Sequence, residues 1–253
     1  MKYFVKFISP GEYKIKYNFK SPLNKADFMF AECIKLNQLN LKHFYSKDVT
    51  NMSCMFIYCI SLKDLNIYNL DTRNVKDMSG MFYGCESLKH LDLSDFNTQN
   101  VENMSFLFFG CKQLFDVNLT GLNTQNVKDM YCMFSGCESL ISLNLLNFFT
   151  QNVINMNRMF SGCQSLEELD LSNFYTNKVQ YMNSMFYGCY SLSKLDISNF
   201  SFEKIINIDD IFSGCFSLKI ENINCKNKNF LIIRCPFYSD SNIIFNTSSF
   251  QTI

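Results

Sequence analysis

The sequence predicts a solenoid of the α/β class: stacked copies of one unit, with a parallel sheet on the concave face and short helices on the convex face. Three observations predict it. Cys33, Cys59, Cys85, Cys111, Cys137, Cys163, Cys189 and Cys215 stand 26 residues apart, with no insertion or deletion across eight copies. A Phe column (Phe30 to Phe212) and a Leu column (Leu36 to Leu218) keep the same register. Within each copy a short alternating run precedes apolar residues at helical spacing. Self-similarity at a period of this length marks a stacked repeat array.

The copy from Leu88 to Gln113 shows the logic of one unit. Leu88, Leu91 and Leu93 give the L-x-x-L-x-L pattern of a leucine-rich repeat. Its alternating part, His90 to Ser94, reads as a strand with Leu91 and Leu93 inward and His90, Asp92 and Ser94 outward. Phe96 turns the chain back into the core. Val101, Met104, Phe108 and Cys111 follow at spacings of three, four and three, one face of a helix. Thr98 or Asn100 suits its N-cap, and Gly110 its left-handed C-terminal residue. One unit cannot cover its own apolar face, so neighbours must stack. Eight strands about 4.8 Å apart make a sheet roughly 34 Å long. Helices are wider than strands, so the sheet side is expected to be concave.

The ends depart from the repeat. Residues 1–27 read as a β-hairpin cap, two β-rich runs around Pro10-Gly11. Residues 28–226 hold eight repeats, the last of them decayed: Glu221 and Lys226 occupy positions held elsewhere by Leu and Phe. Residues 227–253 read as a C-terminal cap built on the apolar runs Phe230–Ile233 and Ile243–Phe245.

Twenty-three basic residues balance 23 acidic ones, which gives no electrostatic reason to expect nucleic acid as a partner. No signal peptide stands out, because Lys6 and Pro10 interrupt the first apolar run. The longest uncharged stretch, Ser139 to Asn157, contains five Asn and is no membrane span. A cytoplasmic protein is the default expectation, and the cell surface the alternative.

The unit Leu-Asp-Leu-Ser-Asp-Phe-Asn-Thr-Gln-Asn-Val-Glu-Asn-Met-Ser (residues 91–105), with Met-Phe-Tyr-Gly-Cys (81–85), resembles the BspA-like leucine-rich-repeat family of bacterial surface proteins and protist proteins. The resemblance covers residues 28 to about 223. It implies a solenoid with an adhesive or protein-binding role, and it carries no catalytic residues over.

Twelve Cys raise the question of disulfides or metal. Column neighbours have Cβ atoms pointing the same way, poor geometry for a bond, and Cys fits tight corners as a small apolar residue. Buried free thiols are therefore expected, with Cys54 and Cys132 exposed. Cys225 and Cys235 could bridge in the C-terminal cap. No C-x-x-C string occurs and only two His exist, so neither metal nor cofactor is expected. His43 and His90 sit in no nucleophile motif, and no phosphate-binding string is present. Five N-x-S/T triplets, at Asn51, Asn103, Asn118, Asn199 and Asn246, follow from the Asn-rich repeat.

The most informative polar feature is one outward strand column: Asn40, Asn66, Asp92, Asn118, Asn144, Asp170, Asp196 and Asn222. Stacked amides explain its Asn members, but adjacent Asp170 and Asp196 should repel. The column two residues earlier varies: Gln38, Asp64, His90, Asp116, Ser142, Glu168, Lys194 and Ile220. Variation beside a fixed scaffold is how repeat proteins tune a binding face. The expected function is a non-catalytic scaffold that binds a protein, basic in character, through Asp64, His90, Asp92, Asp116, Asn118, Asn144, Glu168, Asp170, Lys194 and Asp196. A surface-display repeat is the alternative. A solenoid carbohydrate-active enzyme, with two carboxylates paired across the columns, is a more distant one. The column holding Tyr83, Phe109 and Tyr187 is a second candidate surface.

Overall fold

The computed structural model describes residues 22–234, with side chains through residue 231. The hairpin expected before residue 22 and the apolar run Ile243–Phe245 lie outside the described residues.

The repeat array is present, but the expected helices are not what returns the chain. Each copy instead carries three consecutive β-turns. In the second copy the N–H of Met55, Ile57 and Cys59 donate to the carbonyls of Met52, Cys54 and Phe56. Cys54 and Tyr58, the third residues of the first and last turns, have φ of 54° and 57°. A hydrogen-bonded turn with positive φ at its third position is type II. The intervening N–H groups leave the copy altogether. Met52, Cys54, Phe56 and Tyr58 donate to the carbonyls of Asp77, Ser79, Met81 and Tyr83 in the next one. A helix would have sent every N–H to the fourth residue back in its own copy. The spacing of three and four is common to both arrangements, so periodicity read the right buried face and the wrong backbone.

These four bonds recur at each of the seven interfaces between copies, from Ala26→Asn51 to Gly188→Ser213, at 2.7–3.1 Å. A fifth runs the other way in each, as from Lys76 to Thr50. Parallel bridges mark the same ladder without a break from Lys25 through Asn51, Asp77, Asn103, Asp129, Asn155 and Tyr181 to Asn207.

The strand side is less regular than expected. β1 (Gln38–Asn40) pairs with β2 (Asp64–Asn66), and β3 (His90–Asp92) pairs with β4 (Asp116–Asn118). β5 (Glu168–Asp170), β6 (Lys194–Asp196) and β7 (Ile223–Asn224) form a third sheet. Residues 142–144 form no strand. A three-residue strand offers few rungs, so the turn ladder sets the pitch and the strands pair where they can. Without helices the width mismatch that was to make the sheet side concave is also missing.

Stacking produces columns of identical side chains. Phe30, Phe56, Phe82, Phe108, Phe134, Phe160, Phe186 and Phe212 form one file of rings, centroids 5.2–5.8 Å apart and planes within 16° of parallel. Val, Met, Leu and Cys columns surround it, and nearly all their members are buried. Polar columns are satisfied between copies too. Thr98, expected as a helix cap, is buried and bridges copies: its hydroxyl donates to the Asn123 carbonyl at 2.8 Å and accepts the Asn123 N–H at 2.7 Å. Thr72, Thr124, Thr150 and Thr176 do the same. Asn100, the other expected cap, donates back to the Arg73 carbonyl.

Two glycines show how tight the stack is. A Cβ at Gly121 would overlap the carbonyls of Leu93, Ser94 and Phe96 in the preceding copy. Gly136, at φ +73°, sits with its prospective Cβ 3.4 Å from the Gly110 Cα. Its column was read as helix ends. It serves instead as the third position of the last type II turn, which Glu32 and Tyr58 also occupy at φ 59° and 57°.

The last copy has not simply decayed. It gains two residues in a 3-10 turn, Ile220–Asn222, after which Leu195 pairs with Ile223 and Asp196 with Asn224. The column member is therefore Asn224, not Asn222. α1 (Lys228–Arg234) follows, with Phe230 stacked on Phe202 at 4.8 Å and Leu231 buried.

Phe134→Ala is expected to cost about 3–5 kcal/mol through the cavity left mid-file. Phe216→Ala, at a ring 80% exposed, should cost far less in the same thermal melt. Thr124→Val removes a hydroxyl that serves both backbone groups of Phe149 and should cost about 1–3 kcal/mol at nearly equal volume.

Candidate binding face

The strand face presents two outward columns, and the structure gives them different work. In the Asn/Asp column each side-chain oxygen accepts the N–H two residues on. Asn40 holds Lys42, Asn66 Tyr68, Asp92 Ser94, Asn118 Thr120, Asn144 Leu146, Asp170 Ser172 and Asp196 Ser198, at 2.9–3.2 Å. These are Asx turns, which start the chain round the corner after each strand. A carboxylate accepts that bond as well as an amide does. The occurrence of Asp in the column, unexplained by stacked amides, is thereby explained. Asp170 and Asp196 do face each other in register. Burial pushes the Asp196 carboxyl up, but hydrogen bonds from Ser198 and the Asn224 amide outweigh it and leave it below the ordinary carboxylate value.

The variable column has no such duty. Its side chains bond chiefly to one another along the array. The Gln38 amide donates to Asp64 at 2.7 Å, His90 Nδ1 meets Asp116 at 3.0 Å, and Lys194 meets Glu168 at 3.3 Å. All six are exposed, so each pair contributes at most about 1 kcal/mol. Asp92 and Asp170 have no ion-pair partner among the described residues. The ten expected residues thus lie on one face, spread along it from the second copy to the seventh.

Sequence reasoning missed one part of this face. The inserted turn after β6 raises a wall beside β5 and β6, and a recess of about 560 Å³ lies there. Glu168, Lys194, Asp196, Glu221, Asn224 and Lys228 line it. The string Ile223-Asn224-Cys225 repeats the strand pattern two residues late, and that offset was the available signal.

The turn face carries a second surface. Tyr83 stacks on Phe109 at 4.6 Å, and Tyr58, Phe106 and Tyr131 complete the cluster at 4.8–5.9 Å. Tyr187, from the same column, lies apart from it and is half exposed.

The model matches residues 24–145 and 114–224 to a family described as Mycoplasma protein of unknown function, DUF285. The chain belongs to this family. No curated protein matches it. Among solved structures it is similar to a leucine-rich repeat protein from Eubacterium ventriosum, at 23% identity and a TM-score of 0.42, over 66% of this chain and 41% of that one. The chain thus spans well under half of that structure. It is also similar to the Treponema pallidum leucine-rich repeat protein, at 17% identity and a TM-score of 0.36, over 64% and 77% of the two chains. A Bacteroides ovatus leucine-rich repeat protein follows at 18% identity and 0.36, over 79% and 63%. In this DUF285 chain no described helix is long and apolar enough to cross a membrane.

The thiols of the DUF285 repeat are corner pieces with a directed bond. Each column Sγ from Cys59 to Cys215 donates to the carbonyl of the preceding copy's Phe, at 2.9–3.3 Å. Burial pushes Cys85 and Cys163 up to about 12 and Cys111 and Cys137 well above the ordinary value. Two expectations fail. Cys132 is buried rather than exposed, and Cys33, in the first copy, is exposed rather than buried. A hydrogen bond from Cys59 brings Cys33 down to about 7 against the opposing effect of partial burial. Cys225 is buried, and its proposed partner Cys235 lies outside the described residues. Because the thiolate is the reactive form, labelling of Cys33 should accelerate as pH rises through about 7. Mass spectrometry of the native protein should find it labelled before Cys54 and long before Cys137 or Cys163.

Proposed function

We propose that this chain is a non-catalytic protein-interaction scaffold that holds its partner against the strand face. The variable column carries the reading. The Asn/Asp, Thr and Cys columns all spend their polar atoms on backbone groups. The column from Gln38 to Lys194 alone on this face is free to differ from copy to copy without cost to the stack. Asp64, Asp92, Asp116, Glu168, Asp170 and Asp196 face Lys194 and His90 there, so the chemistry favours a basic partner. The carboxylates lie on an open face, in Asx turns or surface pairs, which supports recognition over glycosidase chemistry. Display of the array on a surface is compatible with the same geometry. The aromatic cluster around Tyr83 and Phe109 is the second candidate surface, since exposed aromatics mark interfaces.

The test begins with affinity capture of a partner from the native cell, followed by titration at two salt concentrations. Affinity should fall with salt, because exposed charges are screened over about 8–10 Å. Asp116→Asn with Glu168→Gln should weaken binding about two- to fivefold per charge and leave the melting temperature nearly unchanged. Asp170→Asn with Asp196→Asn keeps both Asx turns and should weaken binding alike. Unchanged affinity of both double variants at low salt excludes the acidic face and leaves the aromatic one.

A further inference from the structure

The turn ladder has two ends, and they are chemically unlike. At the first copy, the carbonyls that would accept from a preceding copy are those of Lys25, Asp27, Met29 and Ala31. Among the described residues no N–H reaches any of them. The fifth bond of each interface would need the Asn24 N–H as donor, and it too has no acceptor among the described residues. At the last copy the pattern is inverted. The N–H groups of Ile208, Asp210 and Gly214, homologous to those that donate across every interface, reach no acceptor among the described residues, and the Ile206 carbonyl receives no donor. Apolar side chains flank both edges. Phe28 and Ile34 are 54% and 50% exposed at the first, Ile206 69% at the last.

We propose that these edges join: one copy of the chain stacks its first rung on the last rung of another, continuing the turn ladder across the boundary. Donor and acceptor positions select this occupant. Two first rungs face to face would set carbonyls against carbonyls, so a two-fold dimer through this edge is excluded. The last rung offers donors at the spacing of every internal interface. Both edges belong to one 26-residue unit, so the turn backbones match in shape as they do inside the array. Open strand edges template such pairing. A head-to-tail contact that does not close on itself yields a linear series.

The experiment uses the full-length chain and two edge variants. Phe28→Lys with Ile34→Lys blocks the first rung, and Ile206→Lys with Phe216→Lys blocks the last. Sedimentation should show the parent forming a concentration-dependent series that passes beyond dimer, while each variant alone remains monomeric. An equimolar mixture of the two variants keeps one intact edge of each kind. It should form a dimer and stop there, which also shows that both variants are folded. A parent that stays monomeric at submillimolar concentration would overturn the proposal. So would a variant mixture that remains monomeric, or a single variant that still assembles.

Discussion

The structure depends on one constraint: in the returning half of each copy, every second N–H is given to the next copy. Four such bonds cross each interface at 2.7–3.1 Å, and a fifth returns. They hold the copies at strand spacing on the side where a helix would have forced them apart. The file of Phe rings follows from that pitch, because rings 5.2–5.8 Å apart with parallel planes need neighbours at strand spacing. So does the Cys column, whose thiols reach the preceding copy's carbonyls. The ladder also holds Phe106, Cys132 and Arg158 at positive φ. Each of those costs on the order of 1 kcal/mol in isolation and persists because its neighbours over-determine it.

Much of this was legible. The 26-residue period, the buried identity of the Phe, Met, Leu and Cys columns, and the outward direction of His90, Asp92 and Glu168 all follow from spacing. The backbone between Val101 and Cys111 did not. Turns closed at intervals of three place their apolar residues where a helix does, and only the destination of the N–H groups separates the two. Positive φ at Phe106 or Arg158 leaves no trace in residue type, since neither side chain favours it. The slip before Ile223 was visible only as a late strand pattern, and Asn222 drew attention by falling on the period.

For the candidate face, the residues were placed correctly and one of their roles was misjudged. The uniform Asn/Asp column looked like recognition because it was uniform and polar. Its uniformity instead reflects a local duty, catching the N–H two residues on, that either residue performs. The neighbouring column is informative for the opposite reason: it has no duty to the fold, so its composition is open to another demand. DUF285 arrays therefore separate the atoms that hold the stack from those left to meet a partner.

Because every interface between copies uses the same five backbone bonds, the stack holds no record of how many copies it contains. A duplication of 26 residues in the gene would insert one more rung and leave both edges as they were. The strand face would lengthen by about 5 Å, one strand spacing. Reach is thus a dimension that varies in fixed increments, independently of the chemistry displayed on each rung. A lineage carrying such a repeat can match the span of its target by recombination and tune the fit afterwards, one outward side chain at a time.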